Sequence, residues 1–162
     1  MRGMCGRSRE ELFTPDGYHP TGDLGHLDED GFMFYHGRSD DMFKVSGATV
    51  YPSEVEQALR TISGVDGAFV TNVPGDRGDR VGAIVVCDKG STTVQELHTA
   101  ARTLLSSFKV PTVWLVLDSD DDVPRSASGK ADVHRLRQML TASQTLEMRV
   151  HSGAGRPEKE FE

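Results

Sequence analysis

The amino-acid sequence predicts an α+β domain: a small sheet of about three main strands covered by helices, preceded by an orphan strand segment and followed by a flexible tail. Three observations predict it. Apolar residues recur at helical spacing in three segments, three short β-branched runs stand between and after them, and the apolar periodicity fails from about residue 141.

Residues 1–20 are polar and turn-rich and read as a connecting edge, with Thr14-Pro15-Asp16-Gly17 a turn because Pro presets φ and Gly accepts positive φ. A second turn, Asp28-Glu29-Asp30-Gly31, leads into a short strand at Phe32-Met33-Phe34-Tyr35, whose partners are expected outside the chain. Ser53 with Glu56 three residues later has the spacing of a capping box. Val55, Ala58, Leu59 and Ile62 follow at i, i+3, i+4 and i+7, so a helix with one buried face runs to a stop at Gly64. Ala68–Val73 and Val81–Cys87 read as strands split by the Pro74–Asp79 turn cluster and are placed to pair as antiparallel neighbours. Thr93 and Glu96 repeat the capping-box spacing before a helix carried by Val94, Leu97, Ala101, Leu104 and Leu105. Val113–Leu117 is a third strand, and Val133, Leu136 and Leu140 mark a final helix capped by Asp132. Beyond it, residues 141–162 read as a solvated tail.

With 162 residues the chain has a one-domain length. A net charge of −7 and a pI near 5.3 exclude a general nucleic-acid binder, which needs a basic stripe to displace counterions from phosphates. Two cysteines, Cys5 and Cys87, form no disulfide framework, and no stretch approaches the length of a membrane span. A cytoplasmic protein without nucleic-acid or membrane partners is the expectation.

Three segments carry chemistry. The first, Tyr18-His19-Pro20-Thr21-Gly22-Asp23, ends in a carboxylate that can accept hydrogen bonds from vicinal hydroxyls, as ribose binding requires; alone, an Asp after Gly is a turn residue. The second is the run from Gly37 to Gly47. In it Arg38 offers a planar fork for phosphate or ribose oxygens, Asp40 is a loop carboxylate free to pivot, and Lys44 stands near Ser46 and Gly47, where backbone can approach a narrow substrate. The competing reading of Arg38 and Asp40 is a surface ion pair worth under about 1 kcal/mol. The third, Pro124-Arg125-Ser126-Ala127-Ser128-Gly129-Lys130, is not a Walker loop, since Pro124 stands where Gly and Ala131 where Ser or Thr is needed. The acidic run Asp118–Asp122 is no calcium loop, because Val123 replaces the turn glycine, and the six histidines show no metal spacing.

These three segments, in this order, resemble the C-terminal part of the adenylate-forming enzymes, which include acyl-CoA synthetases, firefly luciferase and peptide-synthetase adenylation domains. The run Asp40–Gly47 followed by Val50-Tyr51-Pro52-Ser53-Glu54-Val55-Glu56 is most similar to a fatty-acyl-CoA synthetase. The resemblance implies an AMP-forming acid–thiol ligase acting in fatty-acid metabolism: a carboxylic acid and ATP give acyl-AMP, and coenzyme A then displaces AMP. It implies catalytic roles for Lys130 and Lys44, nucleotide binding by Asp23 and Arg38, a hinge at Asp40, and a pantetheine tunnel lined near Ser46 and Gly47. Ala48 and Thr49 stand where some CoA ligases of the family carry a basic residue that meets CoA phosphate.

The implied domains are 1–36, a remnant of the end of the large N-terminal domain; 37–140, the C-terminal lid; and 141–162, the tail. The phosphate loop, acyl tunnel and magnesium-binding acid of the family are not found in the sequence, so magnesium is expected only through that N-terminal domain. The chain is accordingly expected to be a truncated or split acyl-CoA synthetase, inactive alone and dependent on an adenylation core in cis or in trans. The alternative is a stand-alone lid that docks as an interaction module on a separately encoded ligase core.

Overall fold

A computed structural model describes residues 6–88 and 92–152, without the side chains of 145–152. The chain divides into two compact units, Met1–Met42 and Phe43–Glu162.

In the first unit Ser8 caps a single helical turn, α1 (Arg9–Leu12), through a reciprocal bond with Glu11. Read from the sequence only as part of a connecting edge, residues 1–20, this turn was missed there; the Ser-x-x-Glu spacing was the available signal. The Thr14–Gly17 turn forms, closed by a 2.8 Å bond from the Gly17 N–H to the Thr14 carbonyl. The strand expected at Phe32–Tyr35 runs as β2 (Met33–Arg38), and its partner lies within the chain. It is β1 (Asp23–Leu27), paired antiparallel with Asp23 opposite Arg38 and a bulge after Leu24. The intervening turn is held by Asp28, whose Oδ1 accepts from the Asp30 and Phe32 N–H groups. Asp23-Leu24-Gly25-His26-Leu27 lacks the alternating apolar pattern by which a strand is read, which is why β1 escaped the sequence. Tyr18, Leu27, Phe32 and Met33 are all more than 60% exposed.

The second unit opens with a small hairpin, β3 (Phe43–Val45) and β4 (Ala48–Val50), too short to show periodicity. Helix α2 (Pro52–Arg60) follows, then β5 (Val65–Val73), β6 (Arg80–Cys87), α3 (Val94–Leu104), β7 (Val113–Leu117) and α4 (Val133–Ser152). The sheet order is β5-β6-β7, with β5 antiparallel and β7 parallel to β6. The parallel pair is joined through α3, since neighbouring parallel strands need a crossover.

Alternation along the strands divides the core between the two faces of this sheet. Val81, Ala83, Val85 and Cys87 of β6 pack with Val55, Leu59, Leu97 and Ala101 of α2 and α3. Ile84 and Val86 pack on the other face with Leu136 and Leu140 of α4. Because β6 is central and covered on both faces, it reads as a continuous apolar run. Burial also raises the Cys87 thiol above its ordinary value, with Asp66 and Asp88 adding to the effect.

Local signals fared unevenly. Thr93 and Glu96 form the capping box, and Glu96 is held below the ordinary carboxylate range by its bonds to the Thr93 backbone and hydroxyl. Asp132 caps α4 by accepting from His134 and Arg135 N–H groups. The Ser53–Glu56 box does not form: α2 starts at Pro52 with Tyr51 as an N-cap lacking a side-chain bond, and Glu56 instead accepts from the Val70 N–H of β5 and from Arg60. Helix α4 continues to Ser152, past the boundary expected at 141. Leu140 is fully buried, and Arg80 reaches Gln144 Oε1 at 2.7 Å, so tertiary contacts support the helix beyond its apolar period. The remainder of the expected tail, residues 153–162, lies outside the described residues.

Candidate functional site

The cross-strand register of the β1–β2 hairpin sets Asp23 opposite Arg38. Arg38 Nη1 donates to Asp23 Oδ1 at 3.2 Å and to the Thr21 carbonyl at 3.3 Å, while Nε and Nη2 engage both oxygens of Asp40 at 2.9 and 3.2 Å. A bidentate arginine–carboxylate fork is the strong form of such a pair. Its hydrogen bond with Asp40 raises Arg38 above its ordinary value, aided by Coulombic attraction to Asp40, Asp23 and Asp41, and lowers Asp40 correspondingly. Asp40 follows β2 in a turn whose start is fixed by Ser39, bonded through N–H and hydroxyl to the Gly22 carbonyl. Three of the residues singled out from the sequence, Asp23, Arg38 and Asp40, thus form one ion-paired cluster. The Arg38–Asp40 contact reproduces the ion-pair reading directly; the same groups can exchange partners with ribose hydroxyls and phosphate oxygens, which are also acceptors and donors of this type.

Lys44, Ser46 and Gly47 lie together on the β3–β4 hairpin. Ser46 and Gly47 form its two-residue turn with φ of 50° and 85°. Positive φ at both central positions is the requirement of a type I′ turn, which matches strand twist. Glycine meets that requirement freely, whereas Ser46 is the only described non-glycine residue at positive φ, a conformation costing on the order of 1 kcal/mol. Lys44 stands opposite Thr49, and its ammonium donates to the Thr49 hydroxyl. Thr49 was not singled out as a functional residue; only pairing register discloses the contact.

Lys130 sits in a tight loop between β7 and α4. Ser126 N–H and hydroxyl both donate to the Lys130 carbonyl, at 2.8 and 3.1 Å, and Gly129 N–H donates to the Ser126 carbonyl. Arg125, also missed from the sequence, braces the loop by donating to the Gly129 carbonyl and pairing with Asp120 at 2.5 Å. The two charges five residues apart around Pro124 were the available signal. The Lys130 side chain is exposed, and its ammonium makes no hydrogen bond or ion pair among the described residues. The backbone is therefore fixed while the cation is presented to solvent.

The hairpin and the loop are carried by opposite faces of the β5-β6-β7 sheet. Phe43 and Val45, flanking Lys44, pack against the core shared with α2 and α3; Val123 and Ala131, flanking the Lys130 loop, pack against the core shared with α4. Among the described residues no group of three or more His, Cys, Asp or Glu side chains is arranged to hold a metal, and no helix is long and apolar enough to cross a membrane.

Residues 54–130 match the family described as the AMP-binding enzyme C-terminal domain. The chain is 38% identical over 133 residues to the 3-hydroxybenzoate–CoA/4-hydroxybenzoate–CoA ligase of Thauera aromatica, which covers 79% of this chain and 25% of that protein. It is 41% identical over 137 residues to the fatty acid–[acyl-carrier-protein] ligase ScoC of Streptomyces coeruleorubidus, covering 83% of this chain and 25% of that one. Among solved structures it resembles ATP-bound MatB from Rhodopseudomonas palustris, with a TM-score of 0.68 and 34% identity over 80% of this chain and 26% of that chain. It likewise resembles the o-succinylbenzoate CoA synthetase MenE of Bacillus subtilis in complex with the acyl-adenylate intermediate OSB-AMP, with a TM-score of 0.70 and 32% identity over 82% and 27% of the two chains. The chain spans about a quarter of the length of the curated relatives it matches. Matched in sequence and in fold to the same part of these enzymes, the chain belongs to the AMP-binding, adenylate-forming family and carries its C-terminal domain.

Proposed function

We propose that this chain is the C-terminal part of an acyl-activating ligase that joins a carboxylic acid to AMP and then to the thiol of coenzyme A. The observation that carries the reading is the placement of two lysine-bearing segments on opposite faces of one sheet. A body so built can present one cation to each of two reactions by turning over.

In the first reaction a carboxylate oxygen attacks the α-phosphorus of ATP and pyrophosphate leaves. Two anions converge there, and the exposed Lys130 ammonium, without a partner among the described residues, is suited on its braced loop to bridge them. In the second, a thiol sulfur attacks the acyl carbonyl and AMP leaves. Lys44 beside the Ser46–Gly47 turn would face the charge developing on the carbonyl oxygen, and the turn, lacking a side chain at Gly47, would let pantetheine pass close to the backbone. Asp23 and Arg38 would hold the ribose and phosphate of the nucleotide, and Asp40, released from Arg38, would serve as the pivot. Magnesium would be supplied with ATP at the large adenylating part. The lid spans 37–140 in this reading.

The acyl group is left open by the relatives, whose names include hydroxybenzoate, succinylbenzoate and long-chain fatty acid ligases at 34–38% identity. A lid shared by all of these supports a common activation chemistry with acyl choice made elsewhere. The exposed Tyr18, Leu27, Phe32 and Met33 of the first unit support a partner surface for the large adenylating part, supplied in cis or in trans.

The test is ATP–pyrophosphate exchange. The chain alone is expected to show none, and the chain joined to, or mixed with, the large part of a relative is expected to restore it; exchange by the chain alone would overturn the reading. In a restored enzyme Gly47→Leu is expected to slow thioester formation while leaving adenylation near its starting rate. Gly47→Ala, which shares the strain of positive φ but adds little bulk, separates backbone strain from obstruction.

A further inference from the structure

The β1–β2 hairpin brings together two histidines that stand ten residues apart in the sequence. His26 Nδ1 lies 2.7 Å from His36 Nε2, with the ring planes within 14° of each other. Phe34 also stacks on His26, with centroids 5.0 Å apart and planes again within 14°. Both histidines are exposed, and neither is used in the acid activation proposed above.

We infer that His26 and His36 form a two-histidine site for a borderline divalent metal ion of the zinc, nickel and copper class, completed by water. The geometry carries it. Two imidazole nitrogens bound to one such ion, each at about 2.0–2.1 Å with an angle near 90–110°, stand about 2.9–3.3 Å apart. The observed pair is a few tenths of an ångström closer, as expected when a proton rather than an ion bridges it. With the ring centroids 4.9 Å apart the two nitrogens face each other head-on, so both rings must tilt in their planes, to roughly 40° from the nitrogen–nitrogen line, to aim at one ion, with the bridging proton moved to the far nitrogen of its own imidazole. No net proton is lost from a neutral pair in that exchange.

Two further features favour a cation here. Antiparallel pairing keeps the two imidazoles within chelating distance, and the Phe34 stack favours a tilt of the His26 ring within its own plane. The same hairpin and the turn that follows it also carry more acid than base. Arg38 is matched by Asp23 and outnumbered once Asp40 is counted. Exposure leaves the remaining coordination positions open to solvent, so a moderate rather than a structural affinity follows. A bound ion would tie β1 to β2 two residues from Arg38.

The experiment is calorimetric titration of the full chain with Zn2+, together with 1H–15N spectra of the imidazoles. The expected result is one zinc per chain. The His26 and His36 ring nitrogens should shift on binding, and His26→Ala or His36→Ala should each weaken affinity at least about tenfold, the loss of one of two protein ligands. His134→Ala, on α4, should leave affinity unchanged. Should an alanine variant lose the hairpin, His26→Gln serves the same comparison. The inference is overturned if the wild-type chain binds no zinc, if zinc shifts other histidines instead, or if folded His26 and His36 variants bind as tightly as the wild type.

Discussion

Replacing Lys130 by alanine is expected to lower the rate of acyl-adenylate formation by about 10²–10³-fold in a ligase assembled around this chain, the range typical for deleting one preorganised group that meets transition-state charge. The loop around Lys130 is closed by backbone bonds from Ser126 and by Arg125, none of which uses the lysine side chain. The fold should therefore survive, and circular dichroism of the variant should match the wild type. Transfer of a supplied acyl-adenylate to coenzyme A should be nearly unchanged, because the hairpin bearing Lys44 belongs to the opposite face of the sheet. Single-turnover measurement of both half-reactions decides it: equal losses in both would contradict a body that uses its two faces in turn. Lys130→Arg tests the demand for a point charge on a flexible stem and should recover only part of the rate, since a planar guanidinium directs its donors differently.

The second large effect concerns stability. Gly82 lies mid-strand in β6, where a Cβ would stand 2.5 Å from Val73 Cγ2 and 2.8 Å from Leu140 Cδ1. Leu140 is fully buried, as is Val73, so neither can simply swing aside into solvent. Gly82→Ala is expected to destabilise by about 1–3 kcal/mol, the usual cost of overpacking, and Gly82→Val by more. Denaturant melts of the second unit's sheet signal provide the check. Shortening the neighbour gives an internal control. Leu140→Ala alone is expected to cost about 2–5 kcal/mol, and combining it with Gly82→Ala should cost less than the sum, because the new methyl occupies part of the vacated space. Additive losses would mean that Leu140 does not set the limit at this position.

How much of this was legible in the sequence follows from the range of the interactions involved. The Thr93–Glu96 capping box and the Asp132 cap were readable because each is completed within one helical turn. The Ser53–Glu56 box had the same spacing and failed, because α2 starts at Pro52 with Tyr51 as its N-cap, which puts Ser53 inside the first turn, while Glu56 accepts from Val70 N–H and Arg60. The three strands of the main sheet were readable as apolar runs, but the parallel direction of β7 against β6 was not; it depends on the crossover through α3. Strand β1 and the β3–β4 hairpin were missed, since a polar or three-residue strand has no period to detect.

The candidate site divides in the same way. Asp23, Arg38, Asp40, Lys44, Ser46, Gly47 and Lys130 were named as candidates from residue type, spacing and resemblance, and of these Lys130 lies within the matched family domain, residues 54–130. By itself the sequence determined the family, the order of the main helices and sheet strands of the second unit, and which charged side chains are candidates for the site, because these depend on local pattern. Tertiary structure alone decided that Asp23 meets Arg38 across a hairpin, that Thr49 takes the Lys44 ammonium, that His26 faces His36, and that Lys44 and Lys130 belong to opposite faces of one sheet. The physical reason is register: strand alternation sends neighbouring residues to opposite faces, and only the pairing of distant strands fixes which side chains share one.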